Sequence, residues 1–421
     1  MSKYIINGGK KLDGCLDIPT SKNAILPILS ASIMCDEKVI IKKVPYISDV
    51  VVMLKILKSI GVSVKELGDT TIEIDSSSIN SFSLPTDLTK EVRSSIFMMG
   101  ALISKLGKSK IAYPGGCNIG LRPIDLHLKG LKSLNIKINE EHGYIFCDAT
   151  QSNQKSKTTI YLDFASVGAT ENIIMASVKR KGTITTIINP AKEPEIVDLQ
   201  NFLNSMGAKI RGAGTSTIEI EGVGYLHSTE YTPITDRIIA GTYLIGVAMT
   251  GGKILINDIN SQHLTILLNK LKSISCKINV GNNKIYLESS GKLKTFGEIS
   301  TNPYPAFPTD LQPQILALST TLKGVSIIQE NLFESRFKHV PELKKMGANI
   351  IIKDRIAIIT GGKLYGADVY ATDLRAGSGL VIAGLKAEGY TTVHNIEHIE
   401  RGYLNLDKVF CSLGADIKKV E

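Results

Sequence analysis

The 421-residue chain is 43% hydrophobic and 21% charged with a formal net charge of +9, a composition that predicts two globular domains and no membrane-inserted segment. Its lysines are dispersed and it contains no Trp, so the charge argues against nucleic-acid binding and suits small anionic substrates instead. The N-terminal nine residues turn polar too early for a signal peptide, so the expected location is the cytoplasm.

One short phrase recurs six times along the chain and predicts its organisation. Each copy places an apolar pair on one helix face, continues through a Gly or Asn that can serve as a left-handed cap, and ends in an alternating strand. The copies are Leu57-Lys-Ser-Ile-Gly-Val-Ser-Val64, Leu131-Lys-Ser-Leu-Asn-Ile-Lys-Ile138, Leu203-Asn-Ser-Met-Gly-Ala-Lys-Ile210, Leu271-Lys-Ser-Ile-Ser-Cys-Lys-Ile278, Leu343-Lys-Lys-Met-Gly-Ala-Asn-Ile350 and Phe410-Cys-Ser-Leu-Gly-Ala-Asp-Ile417.

A second short strand follows five of these copies, and a helix, a Gly and a strand precede each of them, so one unit reads β-α-β-α-β-β. The sixth copy has no following strand, and Tyr4-Ile-Ile6 has the character to supply it. Units this long, grouped three and three, predict two domains with internal threefold symmetry, namely residues 22–234 and residues 1–21 with 235–421. The five second strands are expected at Thr71–Ile74, Tyr144–Cys147, Thr217–Ile220, Lys284–Leu287 and Arg355–Ile358.

The most unusual stretch runs from Pro114 to His127 and has three glycines in seven residues around Cys117. Glycines let backbone approach a ligand, and Pro123 and Asp125 suit a first helical turn, whose free N–H groups attract anions. A thiol beside such positive potential can be acidified for proton transfer. The alternative is a tight turn with an incidental cysteine.

The other cysteines are scattered, without a C-x-x-C pair or a His/Cys cluster, which argues against structural zinc, an iron–sulfur centre or a disulfide framework. Their apolar surroundings predict packing residues. They are Cys15, Cys35, Cys147, Cys276 and Cys411.

Several charged residues stand where helices are predicted to begin. In Ser21-Lys-Asn-Ala24, Lys22 could bind a phosphate or carboxylate, although a surface lysine followed by an Asn helix cap would account for the same residues. Asp310 follows three prolines near a helix that begins at about Thr309, and is either a general base or a helix-end charge. Arginines at equivalent points of the repeat suggest a cationic cleft that grips carboxylate or phosphate. They are Arg93, Arg237, Arg336, Arg375 and Arg401.

The sequence of the cysteine loop closely resembles that of the UDP-N-acetylglucosamine 1-carboxyvinyltransferase family. Members of this family are enolpyruvyl transferases that catalyse the first committed step of peptidoglycan synthesis. The resemblance runs end to end, and the cysteine loop is absent from the sister shikimate-pathway transferases. Further matching motifs are Ser-Lys-Asn-Ala at 21–24, Ser-Val-Gly-Ala-Thr at 166–170, Ala-Lys-Glu-Pro-Glu-Ile-Val-Asp at 191–198, Phe-Pro-Thr-Asp at 307–310, Phe-Glu-Ser-Arg-Phe at 333–337, Ala-Thr-Asp-Leu-Arg-Ala-Gly at 371–377 and Arg-Gly-Tyr at 401–403.

This resemblance implies an α/β fold, the two-domain inside-out α/β barrel of six β-α-β-α-β-β repeats with three per domain. It also implies transfer of the enolpyruvyl group of phosphoenolpyruvate to the 3′-hydroxyl of UDP-N-acetylglucosamine with release of phosphate. No cofactor or metal is expected, and the partners are those two small molecules. The product would serve cell-wall biogenesis, and with it cell shape and division.

The resemblance also assigns roles to individual residues. Cys117 is the loop acid, able to form a covalent phosphoenolpyruvate adduct and open to alkylation by fosfomycin, and Asp310 handles the sugar hydroxyl or methyl proton. The phosphoenolpyruvate ligands would be Lys22, Arg122, Arg375 and Arg401. The sugar-nucleotide contacts would be Asn23, Arg93, Arg122, Pro123, Ile124, Asp125, Leu126, Phe164, Ala165, Ser166, Val167, Asp310 and Leu332.

Two departures and three alternatives accompany this interpretation. Phe164 stands where some members have Lys, and Ile239 stands where an acidic residue is usual. The alternatives are the sister shikimate-3-phosphate reaction, a non-catalytic regulatory paralogue that binds the UDP-sugar, and an RNA-processing enzyme of related repeat architecture. A paralogue without activity would be expected to lose its acid or base, whereas Cys117 and Asp310 are both present. The sequence leaves the oligomeric state open.

Overall fold

The computed structural model describes residues 2–115, 119–120 and 123–421, which group into two compact units. Unit A comprises residues 2–19, 119–120 and 235–421, and unit B comprises residues 20–115 and 123–234. We propose that the chain is divided into two three-repeat domains, residues 22–234 and residues 1–21 with 235–421. Within the described ranges, every helix is too short or too polar to span a bilayer.

The described part of the chain contains 23 strands, each three to six residues long. They are β1 (Lys3–Asn7), β2 (Leu12–Asp17), β3 (Val39–Ile41), β4 (Ser63–Gly68), β5 (Thr71–Asp75), β6 (Lys108–Ala112), β7 (Lys137–Glu141), β8 (Tyr144–Asp148), β9 (Lys157–Tyr161), β10 (Ile184–Ile188), β11 (Lys209–Arg211), β12 (Thr217–Glu221), β13 (Thr229–Tyr231), β14 (Gly252–Asn257), β15 (Lys277–Gly281), β16 (Lys284–Ser289), β17 (Glu298–Thr301), β18 (Val325–Glu330), β19 (Asn349–Lys353), β20 (Ile356–Thr360), β21 (Asp368–Tyr370), β22 (Tyr390–His394) and β23 (Asp416–Val420).

The same residues form 14 α-helices and three short 3-10 helices, at Arg93–Phe97, Ser261–Leu264 and Thr309–Leu311. The α-helices are α1 (Lys22–Ser32), α2 (Ser48–Ser59), α3 (Thr86–Glu91), α4 (Met98–Leu106), α5 (Asp125–Ser133), α6 (Val167–Val178), α7 (Pro194–Ser205), α8 (Arg237–Thr250), α9 (Thr265–Ser273), α10 (Gln312–Ser319), α11 (Val340–Lys345), α12 (Leu374–Lys386), α13 (Glu397–Glu400) and α14 (Leu406–Ser412).

The strands form six sheets that share one topology, in which three antiparallel strands are extended by a fourth that pairs in parallel. Unit A contains the orders β21-β22-β1-β23, β15-β16-β14-β2 and β17-β18-β20-β19. Unit B contains β11-β12-β10-β9, β13-β3-β5-β4 and the three-stranded β6-β8-β7, where a parallel bridge from Ser83 to Lys110 takes the fourth place. The sixfold repeat is therefore present in the strand pairing.

The sixth repeat is completed from the N-terminal end of the chain. Strand β1 lies between β22 and β23, and Ile5 is opposite both Thr392 and Lys418. This confirms the prediction that Tyr4–Ile6 supplies the missing strand. The five predicted second strands are confirmed as β5, β8, β12, β16 and β20.

The cap position of the repeat phrase has the left-handed conformation in all six copies, with φ between +58° and +95°. The prediction of a left-handed cap is confirmed, and the fourth copy adopts this conformation with Ser275, at φ +84°, in place of a Gly or Asn. The six residues are Gly61, Asn135, Gly207, Ser275, Gly347 and Gly414.

Buried helices form the interior of each unit, and the sheets alternate buried and exposed residues around them. In unit A, α8, α10 and α12 are buried along almost their whole length and pack on one another, as expected for helices that are apolar all round. A Cβ added at Gly379 would lie 2.9 Å from the Pro313 carbonyl oxygen, so this glycine permits α12 to approach α10 closely. In unit B, Gly100 does the same for α4, because a Cβ there would lie 2.5 Å from the Asn172 carbonyl oxygen of α6.

The cysteines divide into two groups. Cys35, Cys147 and Cys276 are buried, and burial raises the pKa of the Cys147 and Cys276 thiols to about 11. The prediction that all five are packing residues is wrong for Cys15 and Cys411, which are exposed, on β2 and α14. Alternation along a strand and periodicity along a helix turn these two side chains away from the core.

Candidate active site

The central helices of unit A begin with charged residues. Asp236 caps α8, and its carboxylate accepts a hydrogen bond from the Ile238 N–H at 2.8 Å. Asp373 caps α12 in the same way, accepting from the Arg375 N–H at 3.0 Å. Asp310 lies in the 3-10 turn that leads into α10, which confirms the predicted helix start. The free N–H groups of such helix ends favour anions.

Two guanidinium groups hold the Asp310 carboxylate, one on each oxygen. Arg336 donates from Nη2 to Oδ1 at 3.1 Å, and Arg375 donates from Nη2 to Oδ2 at 3.0 Å. Both arginines are almost fully buried, whereas 26% of the Asp310 side chain is exposed. The structure thus brings together the predicted Asp310 and Arg375 and orients the carboxylate with Arg336, a residue named in the sequence only as one of several arginines.

The Arg375 guanidinium is held firmly in its charged form. Burial alone would lower its pKa, but the charges of Asp310, Tyr403 and Asp236 raise the pKa above its ordinary value. The Tyr403 ring lies under the guanidinium, 5.9 Å from it, and the Tyr403 hydroxyl is 2.7 Å from Thr242 Oγ1. A fixed cation beside the carboxylate is the result.

Glu330, a buried residue that sequence analysis missed, organises the segments on either side of this carboxylate. Its Oε1 accepts hydrogen bonds from the N–H groups of Leu332 at 2.9 Å and Phe333 at 3.1 Å. Its Oε2 accepts from Thr309 Oγ1 at 3.0 Å. Leu332 is one of the predicted contacts, and Thr309 precedes Asp310. A glutamate at the end of a strand gives no sequence signal for this role.

A neutral histidine lies behind Arg336. His339 is buried, and burial lowers its pKa to about 4, while Asp373 raises and Arg336 lowers that pKa. Arg336 Nη1 is 4.0 Å from Asp373 Oδ1, so the guanidinium has carboxylates on two sides and an uncharged imidazole nearby. This arrangement leaves the Arg336 charge directed at Asp310.

The end of the cysteine loop contacts the segment that follows Leu332. The Ile119 carbonyl oxygen accepts a hydrogen bond from the Ser335 N–H at 3.0 Å. Gly120 has φ +145°, a backbone conformation that L side chains rarely adopt, so glycine is favoured at this point of the loop.

In unit B, Lys22 is the first residue of α1, as predicted. Its Nζ lies 2.7 Å from Asp49 Oδ2, and the two side chains are only 12% and 7% exposed. Asn23 follows as the second helical residue, and Ser21, rather than an asparagine, occupies the cap position. Asp49 fixes the lysine but has no recognisable signature in the sequence.

The predicted contact segment around Ser166 forms the start of α6. Ser166 caps this helix, accepting from the Ala169 N–H at 3.4 Å, and its own N–H donates to the Phe164 carbonyl oxygen at 2.8 Å. Phe164 is 48% exposed, so a large apolar ring stands in solvent where a basic side chain would be expected. Ala165 and Val167 are half-buried beside it.

One buried asparagine connects the elements that present these residues. Asn172 Nδ2 donates to the Ile96 carbonyl oxygen at 3.0 Å and lies 2.8 Å from His127 Nδ1, and its Oδ1 accepts from the Gly100 N–H at 2.7 Å. The 3-10 helix Arg93–Phe97, which begins with the predicted Arg93, is thereby fixed relative to α4, α5 and α6.

A pocket of about 830 Å³ within unit B contains three of the predicted nucleotide contacts at the start of α5. Leu126 is half-buried on the same helix. The pocket is lined by Tyr113, Pro123, Ile124, Asp125, Leu128, Lys129, Lys132, Ser133 and Glu140.

Comparison with known proteins places this geometry in a family. A family model described as EPSP synthase (3-phosphoshikimate 1-carboxyvinyltransferase) matches residues 6–410. The chain is 50% identical over 421 residues, the whole of both chains, to UDP-N-acetylglucosamine 1-carboxyvinyltransferase 2 of Caldanaerobacter subterraneus subsp. tengcongensis. The chain belongs to the UDP-N-acetylglucosamine 1-carboxyvinyltransferase family.

Other relatives agree with this assignment. UDP-N-acetylglucosamine 1-carboxyvinyltransferase 1 of Clostridium acetobutylicum is 47% identical over 423 residues, with full coverage of both chains. The crystal structure of the enolpyruvyl transferase NikO from Streptomyces tendae is similar with a TM-score of 0.88 and 25% identity, covering 99% of this chain and 98% of that one. An EPSP synthase structure from Acinetobacter baumannii, at 18% identity, has a TM-score of 0.77 and covers all of both chains. The predicted fold class is confirmed.

Two of the residues that the resemblance assigns, Cys117 and Arg122, lie outside the described residues. Arg401 is described and follows α13 as its C-terminal cap, two residues before Tyr403. Of the two family departures, Ile239 is 4% exposed and packs in the core of unit A, which leaves no room for a polar role.

Proposed function

We propose that this member of the carboxyvinyltransferase family transfers the enolpyruvyl group of phosphoenolpyruvate to the 3′-hydroxyl of UDP-N-acetylglucosamine in the cytoplasm and releases phosphate. Protonation of the phosphoenolpyruvate CH2 carbon makes the neighbouring carbon electrophilic, and the sugar oxygen adds to it. The methyl group then loses a proton as phosphate leaves, which regenerates the carbon–carbon double bond and gives the enol ether product. This chemistry requires a positioned acid, a positioned base and fixed cations.

The residues of the chain are assigned to these steps as follows. Cys117 supplies the proton and forms a covalent adduct with phosphoenolpyruvate, and Asp310 accepts the proton of the sugar hydroxyl or the methyl group. The phosphoenolpyruvate anion is held by Lys22, Arg122, Arg375 and Arg401. The sugar nucleotide contacts Asn23, Arg93, residues 122–126, residues 164–167, Asp310 and Leu332.

The observation that supports the proposal most directly is the Asp310 carboxylate held between two buried guanidinium groups. Because Arg336 and Arg375 each occupy one oxygen, the carboxylate keeps one orientation, as a base that acts on a single hydroxyl requires. Arg375 uses one of its five N–H donors on Asp310, which leaves others for the substrate carboxylate or phosphate.

The deciding assay measures phosphate release from phosphoenolpyruvate with UDP-N-acetylglucosamine, with shikimate 3-phosphate and without an acceptor. We expect release only with the sugar nucleotide, and loss of release in Asp310→Asn. Asp354→Asn is the matched control, because Asp354 is an exposed turn residue with φ +50°, a conformation that Asn also adopts. Release with shikimate 3-phosphate would favour the sister reaction, and binding of the sugar nucleotide without turnover would favour the regulatory paralogue.

The role of Cys117 is tested by alkylation with fosfomycin in a Cys15→Ser/Cys411→Ser background. This background removes the two exposed thiols among the described cysteines, so a mass shift of the intact protein reports on Cys117 or a buried thiol. We expect a single addition that abolishes phosphate release and is absent from Cys117→Ser. Addition that leaves activity intact would remove Cys117 from the mechanism.

A further inference from the structure

Tyr403, on the segment between α13 and α14, is buried in unit A, and its hydroxyl contacts all three central helices of that unit. The hydroxyl oxygen lies 2.7 Å from Thr242 Oγ1 on α8, 3.5 Å from Gln314 Nε2 on α10 and 3.4 Å from Ser378 Oγ on α12. Gln314 Nε2 also donates to Thr242 Oγ1 at 3.2 Å. These three partners are fully buried, so one side chain from outside the helices joins them within their first two turns.

The hydrogen bonds of this group have a defined direction. Thr242 donates its hydroxyl proton to the Ile238 carbonyl oxygen at 2.9 Å. Ser378 donates its own to the Arg375 carbonyl oxygen, also at 2.9 Å. Each of these hydroxyls then has only lone pairs left for Tyr403, so the tyrosine is the donor and the nearer Thr242 oxygen is its acceptor. The outer end of the tyrosine ring is thereby fixed.

The fold does not require a polar side chain at this position. The residue eleven places before the left-handed cap occupies the same position in each repeat, and all six such residues are buried. Four are aliphatic, whereas the fifth and sixth repeats have Arg336 and Tyr403. The six are Val50, Ile124, Ile196, Leu264, Arg336 and Tyr403. A buried polar group destabilises a protein unless it is hydrogen-bonded. These two lie beside Asp310 and Arg375, which indicates a role in the site rather than in the fold.

Tyr403 connects the hydroxyl network to two of the cations assigned to phosphoenolpyruvate. The Arg375 guanidinium lies over the tyrosine ring, 5.9 Å from its centre, which is within the range of a cation–π interaction. Arg401 lies two residues before Tyr403 in a short turn. The Gly402 and Tyr403 N–H groups both donate to the Ile399 carbonyl oxygen, at 3.1 and 3.0 Å, so the turn that carries Arg401 is anchored at its far end by the tyrosine.

We propose that Tyr403 is a positioning residue for the phosphoenolpyruvate site. Its hydroxyl is held by Thr242 and Gln314. This anchor fixes both the ring beneath Arg375 and the turn that carries Arg401. The inference rests on the function proposed above and adds to it the residue that orients two of the phosphoenolpyruvate ligands. Cations that are already oriented bind an anion with a smaller loss of conformational freedom.

Kinetics of phosphate release test the proposal with two variants that remove the same contact from opposite sides. Tyr403→Phe deletes the donor, and Thr242→Val deletes the acceptor at nearly the same side-chain volume. Since a neutral hydrogen bond changes an equilibrium about 2- to 10-fold, we expect each variant to raise the KM for phosphoenolpyruvate by about that factor. The KM for UDP-N-acetylglucosamine should stay nearly constant, because most of the contacts assigned to it are in unit B. Thr242→Ser keeps the acceptor and should restore the KM for phosphoenolpyruvate.

Thr250→Val is the matched control. Thr250 is a buried threonine of the same helix, about two turns beyond Thr242, and its hydroxyl likewise donates within the helix, to the Gly246 carbonyl oxygen at 3.0 Å. We expect this variant to leave both KM values unchanged while its loss of stability in urea unfolding is similar to that of Thr242→Val. The double variant Tyr403→Phe/Thr242→Val should have a KM for phosphoenolpyruvate no higher than the worse single variant, because both changes remove one bond.

The outcomes separate this inference from the proposed function. If either Tyr403→Phe or Thr242→Val keeps the KM for phosphoenolpyruvate of an active unmodified protein, the positioning role is overturned and the proposed function stands. The same holds if both KM values rise equally, or if Thr250→Val has the effect of Thr242→Val, since a general loss of structure would then account for the change. An unmodified protein that releases no phosphate overturns the proposed function and this inference together.

Discussion

Replacing Arg336 by Met should impair catalysis without removing a substrate ligand. The change keeps the buried volume but deletes the hydrogen bonds from Nη2 to Asp310 Oδ1 and to the Thr309 carbonyl oxygen, both 3.1 Å long. Both bonds have the charged guanidinium as donor, and a hydrogen bond that involves a charged group contributes about 1.5–3 kcal/mol. Because Asp310 is 26% exposed and water can replace part of this contribution, we expect a loss of unfolding free energy of about 3 kcal/mol.

The larger effect should be on turnover, because the carboxylate loses the guanidinium on Oδ1 and is oriented less firmly. Misplacement of a reacting group by about 1 Å costs on the order of a hundredfold in rate. We expect kcat to fall about 10- to 100-fold while the KM for phosphoenolpyruvate changes little. Arg336→Lys should not restore the rate, because an ammonium group cannot reproduce the planar fork of the guanidinium.

Steady-state kinetics of Arg336→Met beside Arg375→Met separates positioning from substrate binding. Arg375→Met should raise the KM for phosphoenolpyruvate as well as lower kcat. If Arg336→Met retains the kcat of the unmodified protein, or raises the KM for phosphoenolpyruvate as much as Arg375→Met does, the positioning argument is refuted. Thermal denaturation of both variants shows whether they remain folded at the assay temperature.

Three further outcomes are expected. Glu330→Ala raises the KM for the sugar nucleotide, because two N–H groups at Leu332 and the next residue lose their acceptor, and Glu330→Gln, which keeps an oxygen, has a smaller effect in the same kinetic assay. Glu171→Gln stabilises the protein at pH 8 more than at pH 5 in urea unfolding. Burial and two neighbouring glutamates raise the pKa of Glu171 well above 4.5 in the folded protein, so the unmodified protein loses stability as the pH rises above 4.5, by about 1.4 kcal/mol for each unit between the unfolded and folded pKa values. An equal effect of the substitution at both pH values would contradict this. Ser275→Gly removes the strain of a serine in the left-handed conformation and raises the melting temperature by about 2–4 °C. Gly414→Ser, at the same point of the sixth repeat, lowers the melting temperature by a similar amount, and an added Cβ there would have no atom closer than 3.7 Å.

The repeat phrase is sufficient to predict the secondary structure because its signals are local. Left-handed caps at Gly61 and Asn135 depend on neighbours within one turn, and the strand character of Tyr4–Ile6 depends on alternation. The helix starts at Lys22 and Asp310 are likewise predicted from adjacent residues.

The partners of the site residues are not local, and this is why the sequence could not supply them. Arg336 contacts Asp310 from 26 residues away, and Asn172 reaches His127 across 45 residues. Nothing near Arg336 in the sequence distinguishes it from Arg237. The packing of whole helices and strands determines which arginine contacts Asp310. The exposure of Cys15 shows the same limit, since an apolar neighbourhood in sequence does not decide which face of a strand a side chain occupies.

The position of β1 has a consequence for the order in which the chain folds. Residues 20–115 and 123–234 find all their strand partners within unit B, so that unit can form while the ribosome is still adding the remainder of the chain. Strand β1 pairs with β22 and β23, and Lys3 is opposite Val420, so the first strand made must wait for the last. Closing so long a loop is slow, and until it happens the Tyr4 and Ile6 side chains have no core to enter. Strand β1 therefore has no partner for its two edges until β22 and β23 have been made, whereas the strands of unit B pair earlier.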